Sequence, residues 1–313
     1  MTQTITIPQI IDCILKNLGA VNSTGLYNGK AGLSLSLFVA SGHLHDDNLE
    51  YRAYDLLQES LIIKNNNLNF ENGQAGIGYA LLYLVDNNYL KVNFDEVFGK
   101  QYEEIIKGFE HIEKYPLKLV NSLQLIYFLS RVSSIKEDKR IQEVIKKIFE
   151  GLEFFLTLQY YDLTDIHYIN RKTDVLNIYK TYLNLVDYSG YAHFSRTLLD
   201  DYAVLYRKGK IISSLETGYY LKKITDRYNI KGYEDVINEN ICNGTKGIYP
   251  CTLLLKERID TVKLTGDRAY EIPANMSIRN LLKTVDKNSY PLGYGAGLGR
   301  LLIYLIDKDI ELL

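Results

Sequence analysis

The sequence predicts an all-α protein built as a closed or stacked array of helix pairs, and two observations carry that reading. A short glycine phrase recurs four times: Asn28-Gly29-Lys30-Ala31-Gly32, Asn72-Gly73-Gln74-Ala75-Gly76, Asn243-Gly244-Thr245-Lys246-Gly247 and Gly293-Tyr294-Gly295-Ala296-Gly297, each followed by an apolar run. A unit that returns at intervals of about 40 to 50 residues cannot bury its own apolar face and must stack against its copies. The periodicity of the chain is also helical wherever it can be read, and no comparable strand alternation is present.

Taken in order, Ile10, Ile11, Ile14, Leu15 and Leu18 share one helix face, as do Leu49, Ala53, Leu56, Leu57 and Leu61, and Ile105, Ile106, Phe109 and Ile112. Ile141, Val144, Ile145, Ile148, Phe149, Leu152, Phe155 and Leu156 form the cleanest stripe, with a shorter one at Ile278, Leu281, Leu282 and Val285. These helices are one-sided. Between them lie segments apolar on most sides, at 30 to 42, 74 to 86, 118 to 133, 245 to 256 and 296 to 307, and a helix apolar all round is buried. An outer set of helices packed around an inner set follows. Weaker copies at Leu119 to Arg131 and Tyr188 to Leu205 bring the count to about six or seven pairs. No Pro-, Gly- or Ser-rich linker divides the chain, so residues 1–313 are expected to form one domain whose last helix returns to the first pair.

Composition excludes several classes. Hydrophobic residues at 46% and charged ones at 24% describe a globular chain with an ample core. A net charge of -2 gives no basic excess for nucleic acid, and stretches such as Lys136 to Lys147 interleave acids with bases. No apolar run is long enough to cross a membrane and the N-terminus lacks a signal-peptide pattern, which predicts a cytoplasmic location. Three cysteines, Cys13, Cys242 and Cys251, fit a reducing compartment better than a disulfide framework.

Chemistry is sought at the helix starts. Asn28, Asn72 and Asn243 each precede a glycine at an expected helix start, where asparagine serves as an N-cap; converging starts would also present amides and positive dipole ends to an anion or enolate. Gly25-Leu26-Tyr27-Asn28-Gly29-Lys30-Ala31-Gly32-Leu33-Ser34-Leu35 and Asn72 to Leu81 resemble the first two glycine motifs of the LanC-like family, the lanthionine cyclases, and the resemblance runs along essentially the whole chain. It implies an α/α toroid of outer and inner helix pairs.

In that family zinc is held by a cysteine in a Trp-Cys-Tyr-Gly motif and by a Cys-His pair one repeat later. Ile241-Cys242-Asn243-Gly244 keeps the cysteine and glycine but replaces Trp and Tyr, and Tyr290-Pro291-Leu292-Gly293 offers neither Cys nor His. A catalytic zinc normally needs three protein ligands. No metal ligand set is therefore assigned and no cofactor is expected, although zinc held through ligands that the motifs do not reveal stays open. Cys251, about a turn past Gly247, is expected to face the core.

The family's catalytic histidine lies in Leu-Ala-His-Gly; Tyr191-Ala192-His193-Phe194 resembles it, and imidazole suits proton transfer near neutral pH. His43, His45, His111 and His167 lie beside charged or loop residues and read as surface. The family's acidic residue at the third repeat is absent from Tyr115-Pro116-Leu117-Lys118.

The resemblance implies a protein of modified-peptide, lanthipeptide-type biosynthesis that adds a cysteine thiol to a dehydroamino acid. Its partners would be a precursor peptide and a dehydratase or other modification enzyme, with His193 as proton-transfer group and Cys242 and Asn243 lining the mouth. Loss of the ligands keeps a second reading open, a pseudo-cyclase that binds the peptide or partner enzyme without chemistry. A glycan-active α/α barrel using carboxylates such as Glu71, Asp200 and Asp201 is a third.

Overall fold

The computed structural model describes residues 5–112, 119, 122–157, 172–273 and 276–308. Fourteen α-helices and no strand occur among them: α1 (Ile7–Asn17), α2 (Lys30–Leu44), α3 (Asp47–Ile62), α4 (Gln74–Asp86), α5 (Phe94–Phe109), α6 (Leu125–Ile135), α7 (Lys139–Leu156), α8 (Lys172–Ser189), α9 (Thr197–Arg207), α10 (Leu215–Arg227), α11 (Glu234–Lys246), α12 (Leu255–Thr265), α13 (Ile278–Leu282) and α14 (Leu298–Ile306). The fold class is all-α, as the periodicity predicts and as the toroid of the LanC-like proteins requires. The stretch Tyr115 to Lys118, His167 and the side chain of Phe155 fall outside the described residues.

The chain forms two compact units, one from residues 1–107 with 250–313 and the other from 108–249. In the first unit α2 is buried at every residue from Ala31 to Ser41 and α4 at every residue from Gln74 to Leu84, while α14 is buried from Leu298 to Tyr304. These are the inner helices. α3, by contrast, buries only Leu49, Ala53, Leu56, Leu57 and Ser60 and starts at Asp46, whose carboxylate accepts from the amides of Asn48 and Leu49 at 3.0 and 3.1 Å. α2 packs against α3, α4 and α14, and α14 also meets α1, so the last described helix returns to the first pair.

Two glycines make this packing possible. A Cβ at Gly32 would lie 1.8 Å from the Leu26 carbonyl oxygen and 2.6 Å from Tyr294 Cβ, and one at Gly76 would lie 1.9 Å from the Phe70 carbonyl oxygen and 2.7 Å from Leu26 Cβ. Each inner helix thus runs its first turn against its own entry loop and against a neighbouring repeat.

In the second unit α6 buries Leu125 to Leu129 and Val132, and α8 packs against α6, α7 and α10. Here the sequence reading needs two corrections. The helix expected over 245 to 256 is not formed: α11 runs through Asn243 and ends at Gly247, with acids Glu234 and Asp235 in its first turn and Lys246 in its last, which suits the helix dipole. Pro250 follows in a short 3-10 turn, and the next helix begins later, at Leu255, burying one face only. The copy expected at Tyr188 to Leu205 is not an inner helix either, because α9 packs against the one-sided helices α7 and α11. α8 and α10 pack against each other, and their buried faces are built from Tyr179, Tyr182, Thr217 and Gly218 as much as from aliphatic residues, so the apolar contrast that marks α2, α4 and α14 is muted here.

Candidate functional site

The starts of the inner helices differ from the expected pattern in one informative way. The N-cap residues of α2 and α4 are Gly29 and Gly73, and Asn28 and Asn72 stand one residue earlier. Their side chains do not cap their own helices. The Asn72 Oδ1 accepts from the Asn28 amide at 3.2 Å, and the Asn28 Oδ1 accepts from the Tyr290 amide at 3.1 Å. Upstream, Asn65 Oδ1 accepts from the Asn67 amide, Asn67 Oδ1 from the Asn69 amide and Asn69 Oδ1 from the Asn72 amide, at 2.9, 3.0 and 3.1 Å. A relay of asparagines therefore ties the entry loops of α4, α2 and α14 together: the links from Asn65 to Asn72 are local turn bonds, and those from Asn72 to Asn28 and from Asn28 to Tyr290 join separate repeats.

The same loops use up the helix-start amides. Lys30 and Ala31 donate to the carbonyls of Ser23 and Thr24 at 2.9 and 3.2 Å, and Leu298 and Gly299 donate to Pro291 and Leu292 at 2.9 Å each. Amides already bonded to carbonyls cannot cradle an enolate, so the anion site expected at α2 and α14 is not formed there.

These bonds also set the register of the last repeat. Leu298 corresponds to Lys30, and Arg300 stands where α2 and α4 carry Gly32 and Gly76. Arg300 is 1% exposed, bonds the Gly295 carbonyl and forms a charge-assisted pair with Asp260 of α12, which also receives Lys256 Nζ at 2.6 Å. Burial drives the Asp260 carboxyl upward, but the Arg300 and Lys256 cations outweigh it and hold the group below the ordinary carboxylate range. Tyr27, beside Arg300 and Tyr294, is raised well above the usual phenol value, chiefly by burial. Sequence reasoning missed this cluster; its one signal is an arginine inside the apolar run Leu298 to Ile306.

The second unit holds the remaining sequence candidates. Cys242 and Asn243 lie in the last turns of α11, both exposed, with the Asn243 Oδ1 accepting from Lys246 Nζ at 3.4 Å. Asn243 is therefore not at a helix start, and neither residue lines a helix mouth. Its neighbour Gly244 serves packing: a Cβ there would lie 2.3 Å from the Leu215 backbone nitrogen, just as one on Gly218 would press on Ile241, so α10 and α11 approach through reciprocal glycines. Cys251 is exposed in the 3-10 turn rather than facing the core.

Among the described residues no three His, Cys, Asp or Glu side chains come together as a metal would require, so the donors of the family's zinc are not assembled here. Of the carboxylates considered for glycan chemistry, Asp200 accepts from the Tyr233 hydroxyl at 2.7 Å. His43, His45 and His111 are exposed, as expected.

His193 is different, because it borders a cavity. The loop between α8 and α9 leaves the helix at Gly190, whose φ of 66° suits the residue that lacks a Cβ. Tyr191 then stacks on Phe149 of α7 with ring centroids 4.4 Å apart, Phe194 is buried, and Glu153 of α7 accepts from the Ser195 amide at 2.8 Å and the Tyr182 hydroxyl at 2.7 Å. These contacts hold the loop by both ends. Between them His193 is exposed on the rim of a cavity of about 610 Å³ that also receives Ser130 and Ser133 of α6 and Lys146 and Glu150 of α7. Lys146 Nζ stands 3.6 Å from Glu150. Burial, followed by the charges of Glu153 and Glu150, pushes the Tyr191 phenol up to about 12, so at neutral pH it is a hydroxyl donor. The cavity joins an imidazole, an ammonium and hydroxyl groups, a set suited to binding a polar chain and moving protons along it. Cys242 and Asn243 are not among its lining residues.

Glycine-loop starts on buried helices, paired with one-sided helices, define a helix-pair repeat protein of the all-α class. Residues 3–153, just under half of the chain, match the family model described as lanthionine synthetase C-like protein, and over that stretch the chain is similar to the LanC-like family. The matched stretch contains the Asn28 and Asn72 loops and α1 to α6. No curated protein matches the chain.

Proposed function

We propose that this chain is a single LanC-like domain that acts on a modified peptide without zinc, the peptide lying in the cavity bordered by His193. The observation that supports this reading most is the pairing of a stretch similar to the LanC-like family, its repeats tied by Asn28 and Asn72, with a polar cavity around the histidine that resembles the family's motif.

The chemistry would be a thiol addition. The His193 imidazole accepts the proton of a substrate cysteine, the thiolate forms a bond to the β-carbon of a dehydroalanine or dehydrobutyrine, and the π pair moves to the carbonyl as an enolate stabilised by the Lys146 ammonium. The imidazolium then returns its proton to the α-carbon. No atom is lost, and the product is a thioether. Cys242 and Asn243, exposed on α11 and outside the lining of this cavity, take no part in the bond making.

A second reading is favoured by one specific observation: among the described residues the metal donors are not gathered, and metal-free activation of a thiol is weaker than activation by zinc. In that reading the protein holds a precursor peptide or a dehydratase while a partner performs the chemistry. Incubation with a dehydrated precursor peptide separates the two. Loss of free thiol that vanishes in His193→Ala identifies the enzyme; tight binding with no thiol loss identifies the holder. Stoichiometric zinc in the purified protein would refute the metal-free form of both.

A further inference from the structure

The buried tyrosines of the second unit stand in line. From the His193 cavity inward, Tyr191 stacks on Phe149 with centroids 4.4 Å apart and planes 15° from parallel, and Phe149 meets Tyr182 edge-on at 5.6 Å. Tyr182 lies 6.5 Å from Tyr179, Tyr179 stacks on Tyr202 at 4.4 Å, and Tyr202 lies 6.2 Å from the half-buried Tyr206. At each step the rings are close enough to touch. The line runs unbroken from the lining of the cavity, through the buried rings of Phe149, Tyr182, Tyr179 and Tyr202, to a second partly exposed end.

A phenol differs from an aliphatic core residue in that it can give up an electron. If it keeps its proton as it does so it becomes a radical cation, a costly species in an apolar interior; if it hands the proton to a base it becomes a neutral radical. The hydroxyl that has a base in place therefore decides which ring is oxidised. Tyr202 donates to the Asn240 amide oxygen at 2.9 Å, Tyr206 pairs with the Ser213 hydroxyl at 2.9 Å, and the buried Tyr179 hydroxyl bonds nothing. Neither an amide nor a hydroxyl takes up a proton at neutral pH. Tyr182 is different. It is 0% exposed, burial and then Glu153 keep it protonated at neutral pH, and its hydroxyl donates to Glu153 Oε1 at 2.7 Å. The Ser195 amide donates to the same oxygen at 2.8 Å and holds the carboxylate in place.

We propose that Tyr182 is a redox-active tyrosine, losing one electron through the line of rings to an oxidant of the carbonate-radical class while its phenolic proton passes to Glu153. The oxidant gains the electron and becomes carbonate. The Tyr182 O–H bond breaks, and Glu153 becomes a neutral carboxylic acid that donates back to the phenoxyl oxygen. Burial then separates the radical from solvent and from other radicals, which quench an exposed tyrosyl. Tyr233, donating to Asp200 at 2.7 Å on the surface, has the same kind of bond without that shielding. The site stands apart from the thiol-addition reading, since it needs neither a peptide nor the His193 imidazole.

The test exposes the full chain at neutral pH to carbonate radicals made by flash photolysis and follows the tyrosyl signal by electron paramagnetic resonance. A component that outlives the radical of free tyrosine by at least about tenfold is expected, coupled in heavy water to one exchangeable deuteron, the one carried by Glu153. Tyr182→Phe should remove this component. Glu153→Gln keeps a hydrogen-bond acceptor but cannot take up the proton, and should lower the yield about tenfold; Tyr233→Phe should leave the component unchanged. Tyr191→Phe combined with Tyr206→Phe removes the oxidisable ends of the line and should lower the yield severalfold without shortening the lifetime. If Tyr182→Phe does not fold, the deuteron coupling and Glu153→Gln still decide. A long-lived signal that survives Tyr182→Phe, a yield that neither Glu153→Gln nor the double variant lowers, or only the short-lived signal of exposed rings overturns the proposal. Thiol loss plays no part in the readout, so failure here leaves the function at His193 untouched.

Discussion

At the scale of single residues, the packing of backbone against backbone decides which substitutions the fold tolerates. Alanine at Gly32 would place its Cβ 1.8 Å from a carbonyl oxygen, a distance that no side-chain rotation relieves. Gly32→Ala should cost roughly 4 kcal/mol or prevent folding. At Gly19 an added Cβ would meet nothing within 4 Å, and the backbone φ is not positive, so Gly19→Ala should instead stabilise by about 0.4–1 kcal/mol through the unfolded chain. Denaturant melts of the two variants check both signs. The buried charge pair gives a second contrast. Asp260→Asn leaves Arg300 sealed from water without its counter-charge and should cost roughly 3–5 kcal/mol, whereas Arg300→Leu removes the buried charge and leaves Asp260 its Lys256 partner, so it should cost markedly less. Asp260 also sets an acid limb. Its folded value lies below the unfolded one near ~3.9, so its stabilisation is present above that pH and is lost as pH falls through the folded value. Unfolding free energies measured from pH ~6 downward should fall less steeply in Asp260→Asn than in the unaltered chain.

At the scale of elements, the asparagine relay explains why the glycine phrase is repeated with its asparagine. The helices do not need Asn28 and Asn72 as caps, because carbonyls of the entry loops already take the first amides of α2, and the Asn67 carbonyl takes that of α4. What the asparagines supply is registry between repeats. Asn28→Ala and Asn72→Ala should each cost about 1–2 kcal/mol, since a part-buried backbone amide loses its acceptor. Because the two share one chain of bonds, the double variant should depart from additivity by at least about 0.5 kcal/mol, which a double-mutant cycle measures. Much at this scale was legible in the sequence: the stripes of α1, α3, α5 and α7 and the buried runs of α2, α4 and α14 all appear where periodicity puts them. The third phrase misled, because Asn243 to Gly247 has the right letters but serves helix-helix contact through Gly244 near the end of α11. Sequence patterns record that a glycine is needed, and not whether a loop or a helix face needs it. The line of rings through Tyr182 left no sequence signal, since it depends on which rings the helices bring face to face.

At the scale of the whole molecule, the unusual aromatic composition has a consequence for stability. The chain has 27 tyrosines and no tryptophan, and tyrosine takes the place of core aliphatics in the second unit, where Tyr179 and Tyr202 stack 4.4 Å apart with their planes 2° from parallel. Each such ring brings a titratable hydroxyl inside. Tyr179 is raised well above the ordinary phenol value by burial and then by its tyrosine neighbours, and Tyr182 is raised by burial and by Glu153, whose carboxylate accepts its hydroxyl. Tyr27 and Tyr202 are raised mainly by burial. In every case the folded value lies above the unfolded one near ~10, so the contribution is intact below that pH and declines as pH rises past it, when the unfolded chain can ionise and the folded one cannot. The shifts in the two units point the same way and sum. The protein should therefore show a steep alkaline limit from about pH 10, with the tyrosinate absorbance of the buried class rising only together with the loss of helical circular dichroism. Tyr179→Phe, which keeps the ring stack and removes a buried hydroxyl that receives no hydrogen bond, should raise stability at neutral pH and soften the alkaline limit. A buried class that titrated before any helix was lost would show instead that these hydroxyls reach water in the native state.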